Sequence, residues 1–144
     1  MELCPDFTMD TEEMKSAIVK NFFDEESGLF SISLMKQDQY SQFGNAFALL
    51  IGLGNEKTVA ALRKCENMIP ATLSVLPFVY DAMLKCDPYG DEFVLNDIRE
   101  KYGYMLKCGA TSFWETIEGE GAFHGAGSLC HGWSAIPVYY LARK

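Results

Sequence analysis

The sequence predicts an all-α protein with about six helices joined as antiparallel hairpins. Three observations support this fold class. Apolar residues recur at helical spacing over most of the chain, and capping or turn residues fall between these segments. The connections between them are mostly short, which favours antiparallel neighbours. The 144 residues, of which 49% are hydrophobic, suit one globular domain spanning residues 1–144.

The first helix is predicted from Thr11 to Phe23, because Asp10 and Glu13 have the spacing of a capping box. Its apolar face would contain Met14, Ala17, Ile18 and Phe22. A turn at Ser27-Gly28 ends this segment. The alternating stretch that follows, GLFSISLM, predicts either a short strand or an extended link.

The next two helices are predicted over Tyr40 to Leu53 and Glu56 to Ile69, with Gly52 and Gly54-Asn55 as the stop signals between them. The short connection favours an antiparallel hairpin. The residues expected on the inner faces are Phe43, Phe47, Leu50 and Ile51 in the first helix, and Val59, Leu62, Cys65 and Ile69 in the second.

A second hairpin is predicted from Ala71 to Lys85 and from Asp91 to Lys107, with Pro77 kinking its first helix. Asp87-Pro88-Tyr89-Gly90 is a strong turn sequence, and Asp91 is a good N-cap residue. The expected inward residues are Leu73, Leu76, Tyr80, Met83 and Leu84, then Leu95, Ile98, Tyr102 and Met105. Gly103 is expected to weaken the last turns.

Ser128 is expected to cap a final helix, which Pro137 interrupts. Its shared apolar face would contain Leu129, Trp133, Ile136 and Tyr140. Helical hairpins in succession build bundles, solenoids or α/α toroids, and periodicity alone does not choose among these architectures.

Composition excludes several classes of function. The formal net charge of −8, without clustered Lys and Arg, argues against a nucleic-acid surface. No apolar run approaches the roughly 18–20 residues that span a bilayer, so no membrane contact is expected. The start, MELCPDFTMD, lacks the basic and apolar regions of a signal peptide. A cytoplasmic location is therefore expected.

The cysteines are odd in number, dispersed and without a CxxC pair, which is typical of reduced and mostly buried thiols. They are Cys4, Cys65, Cys86, Cys108 and Cys130. Cys108, His124, Cys130 and His131 could be combined into a metal site, but their spacing matches no zinc pattern. No metal and no cofactor are predicted.

Candidate functional residues concentrate in GATSFWETIEGEGAFHGAGSLCHGWSAIPVYYL, from Gly109 to Leu141, which contains both tryptophans and both histidines. Glu115 follows an aromatic pair, so it is either a general acid or base or simply a solvated acid. His131 either contacts a ligand hydroxyl or forms its hydrogen bonds within the chain, with the backbone or with Glu115. Trp114 and Trp133 could stack on a sugar, although a core position is the default for Trp133.

The glycine-rich insert between these residues is no phosphate loop, because it lacks the lysine of that motif and no strand precedes it. It is better interpreted as a flexible lid or as a loop whose backbone approaches a ligand. His124, within the insert, is expected to be an exposed loop residue.

GATSFWE and SLCHGWSAIPVYYL together resemble the C-terminal part of the catalytic domain of bacterial α-L-rhamnosidases, which are six-hairpin glycosidases. YSQFGNAFALLIGL, IPATLSVLPFVYDAML and IREKYGYMLKCGATSFWE fit the same family in order and spacing, so the resemblance covers roughly Tyr40 to Leu141. It implies an (α/α)6 toroid that hydrolyses terminal α-L-rhamnosides with inversion. Glu115 matches the general base, His131 a residue near the sugar, and Trp114 a wall of the pocket.

Inverting hydrolysis also needs a general acid roughly 6.5–9.5 Å from the base. In the family this acid belongs to motifs in the first half of the toroid, which have no counterpart here. The chain thus resembles half of a toroid, with weak or no activity alone. A homo-oligomer or a complementing chain would cover the open flank. The alternatives are a non-catalytic carbohydrate-binding module and a helical interaction module in which the aromatic residues are core.

Overall fold

The computed structural model describes residues 10–143, which form a mostly helical protein with one small antiparallel sheet. The elements in chain order are α1 (Thr11–Phe22), β1 (Phe23–Asp24), β2 (Leu29–Ser33), β3 (Lys36–Tyr40), α2 (Gln42–Leu50), α3 (Glu56–Lys64), α4 (Leu76–Cys86), α5 (Gly90–Lys107), α6 (Ala122–Gly125) and α7 (Ile136–Ala142). The prediction of a helical protein is confirmed, but the fold is not strictly all-α. The segment α6 is a single turn in which Phe123 and His124 have left-handed backbone angles.

The start of α1 is as predicted. The Asp10 carboxylate accepts hydrogen bonds from the backbone N–H groups of Glu12 and Glu13, which satisfies two donors of the first turn. No residue of α1 is fully buried, and Met14 is exposed. The helix therefore lies at the periphery of the domain.

The sheet has the order β1-β2-β3. Phe23 lies opposite Phe30, and Ser31 lies opposite Tyr40. The possible strand in GLFSISLM is therefore present as β2. The strand β3 was not predicted, and Tyr40 belongs to it rather than to a helix, because the polar sequence KQDQY is held by backbone pairing and carries no apolar face.

The apolar face predicted for α2 is wrong at its two phenylalanines, whereas Leu50 packs against the core as predicted. Phe43 and Phe47 are exposed, whereas Gln42, Asn45, Ala46, Ala48 and Leu49 are buried. The small alanine side chains suit close packing against α4, and the two phenylalanine rings contact Phe78 of α4 at the surface. The buried side chain of Asn45 is hydrogen-bonded to the backbone of Phe30. Its Oδ1 accepts from the Phe30 N–H at 2.8 Å, and its Nδ2 donates to the Phe30 carbonyl at 3.1 Å.

The helix α3 is shorter than predicted. It begins at a capping box formed by Asn55 and Thr58 and ends at Lys64, because Cys65 takes a left-handed conformation with φ 51°. Ile69, which was expected on the inner face, is exposed. Its N–H donates to the carbonyl of Tyr40 and its carbonyl accepts from Gln42 N–H, both at 2.9 Å.

Neither Pro77 nor Pro137 kinks a helix. Each lies in a first turn, of α4 and α7 respectively, where proline leaves no hydrogen bond unmade. The predicted helix from Ala71 therefore begins only at Leu76, after a 3₁₀ turn. The helix α5 begins at Gly90, with Tyr89 and not Asp91 in the N-cap position, and continues through Gly103 to Lys107.

The core lies around α4, which packs against α2, α3 and α5. Its largest fully buried members are Tyr80, Leu62, Leu76, Met83 and Val79. Two acidic residues hold the hydroxyls of core tyrosines: Asp97 accepts from Tyr80, and Asp81 accepts from Tyr140. Every helix within residues 10–143 is too short or too polar to cross a membrane.

Candidate functional site

Two non-helical segments, residues 112–115 and 128–131, lie side by side and position the candidate site. The N–H of His131 donates to the carbonyl of Phe113 at 2.7 Å, and the N–H of Glu115 donates to the carbonyl of Ser128 at 2.9 Å. The Ser112 hydroxyl also donates to the carbonyl of Leu129. These cross-segment hydrogen bonds bring the two halves of the predicted motif together across the glycine-rich loop.

Glu115 and His131 face each other at this junction. The Nε2 atom of His131 lies 4.0 Å from Oε1 of Glu115, and the two side chains are 32% and 20% exposed. The other carboxylate oxygen, Oε2, accepts a hydrogen bond of 3.1 Å from the N–H of Ser128. One oxygen of Glu115 thus anchors the loop, while the other faces the imidazole.

Trp133 lies beside this pair and not in the core. Its ring stacks on the His131 imidazole, with the centroids 3.7 Å apart and the planes 7° from parallel. The tryptophan is 50% exposed. The default core position is therefore wrong, and the half-exposed indole forms a flat aromatic surface with the His131 imidazole.

Trp114 has a different setting. It is half-buried and packs against the hydrophobic core. A Cβ atom added at Gly119, where φ is +60°, would lie 2.8 Å from the Trp114 ring. The indole therefore lies directly over the Gly119 backbone and supports the loop, and its predicted role as a pocket wall stays a prediction.

The helix that Ser128 was expected to cap does not form. Residues 128–131 are not helical, a 3₁₀ turn covers Gly132–Ser134, and α7 begins only at Ile136. The backbone of Ser128 instead pairs with Glu115 on both sides. His124 is exposed, as predicted, but it lies in the single turn α6.

The cysteines are less buried than expected. Cys65 and Cys86 are half-buried, Cys108 and Cys130 are exposed, and Cys4 lies outside the described residues. The part of the chain from 10 to 143 contains no group of three or more His, Cys, Asp or Glu residues able to hold a metal ion. Cys108, His124, Cys130 and His131 therefore do not form such a group.

Sequence reasoning missed the residues that build the junction. Ser112 and Ser128 fix the two segments, and Gly127 allows their approach, since a Cβ atom there would lie 1.9 Å from the carbonyl oxygen of Gly119. Thr116 and Ser134, near the same junction, have buried hydroxyls without a hydrogen-bond partner. The glycine spacing of the insert was the available signal, but it was interpreted as a flexible lid or a loop that approaches a ligand, whereas Gly127 approaches the Gly119 backbone of the same loop.

The chain matches no protein-family model, no curated protein and no solved structure. The resemblance to α-L-rhamnosidases therefore stays a prediction. The functional argument depends on the geometry around Glu115, His131 and Trp133.

Proposed function

We propose that the chain is an α-L-rhamnosidase-like glycoside hydrolase domain in partial form, which binds an L-rhamnose-type sugar beside Glu115, His131 and Trp133. The single observation that carries this proposal is the juxtaposition of Glu115 and His131 at 4.0 Å, although fifteen intervening residues separate them in the sequence. A sugar ring offers hydroxyls to the carboxylate and the imidazole, and it offers C–H faces to an exposed aromatic ring.

Glu115 is the proposed general base. Its Oε2 is held by Ser128, which fixes the orientation of the carboxylate. The remaining oxygen is available to take a proton from water. Inversion at the anomeric carbon would then require a separate general acid, for which this chain offers no matching motif.

A second candidate function is sugar binding without turnover. The anchoring of Glu115 by Ser128 favours it, because a carboxylate that holds a loop has a structural role in the absence of any reaction. His131 and Trp133 would serve this function equally well. A third alternative, a helical interaction module with core aromatics, is less well supported because Trp133 is half exposed.

The proposed partial toroid implies a partner. Phe43, Phe47 and Phe78 contact one another and are all exposed, which is an unusual concentration of aromatic surface. A second copy or a complementing chain would cover this surface. Sedimentation velocity over a wide concentration range tests self-association, and a monomer at every concentration would contradict the homo-oligomer.

Binding is tested by calorimetric titration with L-rhamnose, and turnover by release of nitrophenol from an aryl α-L-rhamnoside. Glu115→Gln should abolish turnover, because the amide keeps an acceptor for Ser128 but no longer accepts a proton. Glu118→Gln is the matched control, since Glu118 is exposed and three residues away. Saturable binding of L-rhamnose without turnover selects the second candidate function, sugar binding alone. The absence of both binding and turnover excludes the hydrolase and the sugar-binding module.

A further inference from the structure

The backbone on both sides of the His131 side chain is held in place. The N–H of His131 donates to the carbonyl of Phe113 at 2.7 Å, and its carbonyl accepts from the N–H of Ser134 at 3.2 Å. Ser134 is fully buried, so the 3₁₀ turn Gly132–Ser134 is anchored in the domain. Trp133 is the middle residue of that turn. The turn therefore fixes the indole next to the imidazole on which it stacks.

The stack fixes the plane of the imidazole. The two ring centroids lie 3.7 Å apart and the planes differ by 7°. Carbon atoms in van der Waals contact lie about 3.5–4.0 Å apart, so the two ring faces touch. Turning the imidazole out of this plane would drive its atoms into the indole. For the same reason no sugar ring fits between the two rings, and this face of Trp133 contacts His131 instead of a ligand.

Glu115 selects which edge of the imidazole is presented. A half-turn about the Cβ–Cγ bond would keep the ring plane and exchange a nitrogen edge for a carbon edge. In the structure, Nε2 of His131 faces Oε1 of Glu115 at 4.0 Å. A carboxylate only accepts hydrogen bonds, so it attracts an N–H and repels a nitrogen lone pair. We therefore expect the neutral imidazole to carry its proton on Nε2.

The spacing between Nε2 and Oε1 suits one intervening oxygen atom. At 4.0 Å the two atoms are too far apart for a direct hydrogen bond, which ends at about 3.2 Å. An oxygen about 2.9 Å from Nε2 and about 2.7 Å from Oε1 would see them at an angle of about 90°. A hydroxyl spans such an angle, because it accepts at a lone pair and donates along its O–H bond. An ether has no proton for Glu115, and an ammonium has no lone pair for His131.

We propose that Trp133 is a positioning residue, which holds the His131 imidazole so that Nε2 and the Oε1 atom of Glu115 bind one alcohol hydroxyl between them. Trp133 acts through His131 and is not the platform on which the sugar stacks. The hydroxyl belongs to the sugar, so this half of the proposal rests on the proposed function. The orientation of the imidazole needs no ligand and is measured in the free chain.

Proton and nitrogen-15 NMR of the labelled free chain at about pH 8, above the usual titration range of imidazole, tests the orientation. The chain has two histidines, and the exposed His124 provides the internal reference. The His131 ring protons should be shifted upfield by the indole, with the ring proton on Nε2. Trp133→Leu should abolish the upfield shift, and Trp133→Phe should retain part of it. Phe123→Leu is the matched control, because it removes another exposed aromatic ring.

Calorimetric titration with L-rhamnose tests the hydroxyl bridge. Trp133→Leu should weaken binding by about two- to tenfold, as expected for the loss of one hydrogen bond, and Phe123→Leu should leave it unchanged. In a His131→Gln background, Trp133→Leu should cause no further loss, because the two residues act as one unit. One monodeoxy analogue of L-rhamnose should bind more weakly than the parent sugar, and this difference should vanish in His131→Gln.

The outcomes separate this inference from the proposed function. A His131 ring without an upfield shift, or with a shift that Trp133→Leu leaves unchanged, overturns the positioning role, and the first of these needs no variant. Equal losses of affinity from Trp133→Leu in both backgrounds also overturn it, because they show a direct stacking platform. If L-rhamnose does not bind the unmodified chain, the proposed sugar site and the hydroxyl bridge both fail. The NMR result then still decides whether Trp133 orients His131.

Discussion

Gly127→Ala is predicted to destabilise the junction that holds Glu115. The added Cβ would lie 1.9 Å from the Gly119 carbonyl oxygen, whereas Cβ atoms essentially never approach closer than 3.0 Å. The loop must therefore open by roughly 1 Å, and overpacking of this kind costs about 1–3 kcal/mol. Ser128 is the next residue after Gly127, so opening of the loop should also weaken the two hydrogen bonds between Ser128 and Glu115, of 2.9 Å and 3.1 Å.

Gly121→Ala is the matched control, because a Cβ at Gly121 meets nothing within 4 Å and its φ is −70°. Both substitutions reduce the entropy of the unfolded chain to the same extent, so their difference isolates the clash. In urea denaturation, the free energy of unfolding of Gly127→Ala should be about 1–2 kcal/mol lower than that of Gly121→Ala. This is the lower part of the overpacking range, because the loop lies at the surface. Amide exchange at Glu115 should also be faster. Equal unfolding curves and equal exchange rates would refute the close approach of Gly127 to Gly119.

Three further predictions concern stability. Asn45→Ala should lower the free energy of unfolding by about 2–3 kcal/mol in urea denaturation, because it leaves the buried N–H and C=O of Phe30 without their side-chain partner. Hydrogen bonds, the strongest from Ser27, lower the pKa of Asp24 to about 2 from 3.8, so its stabilising contribution is complete above about pH 4 and is lost as the pH falls towards 2. The free energy of unfolding, measured between about pH 4 and pH 2, should depend less on pH in Asp24→Asn than in the unmodified chain. An identical pH dependence would contradict the hydrogen bonds assigned to Asp24. Gly103→Ala should raise the free energy of unfolding by about 0.5–1 kcal/mol in thermal melts, since the methyl group meets open space.

Helix positions were predictable where apolar periodicity and turn chemistry agree. The start of α1 and the end of α5 at Lys107 follow the sequence closely. The strand β3 was not predictable from side chains, because its stability comes from backbone pairing with β2. The end of α3 was also missed, because the left-handed residue that ends the helix is Cys65, a residue type that does not signal such a cap, although Asn67 two residues later does.

The error on α2 has a specific physical cause. Periodicity assigns Phe43 and Phe47 to the core because they are the largest apolar residues of the segment. The tertiary structure instead needs a polar side chain at Asn45 to satisfy the backbone of Phe30, and this requirement fixes which side of the helix faces inward. The hydrogen-bond requirement of a neighbouring strand is invisible in a helical pattern.

The residues of the candidate site were predictable from the sequence, but their backbone geometry was not. The sequence identified Glu115, His131 and the glycines between them as candidate site residues. It also predicted a final helix from Ser128, and in that helix Trp133 would lie on a buried face. Because the backbone of Ser128 is already paired with Glu115, residues 128–131 stay non-helical, and the helix begins only at Ile136. This non-helical backbone allows Trp133 to stack on His131 at the surface. The exposed aromatic face therefore exists because an expected helix is absent, and its geometry depends on the backbone pairing of two loops.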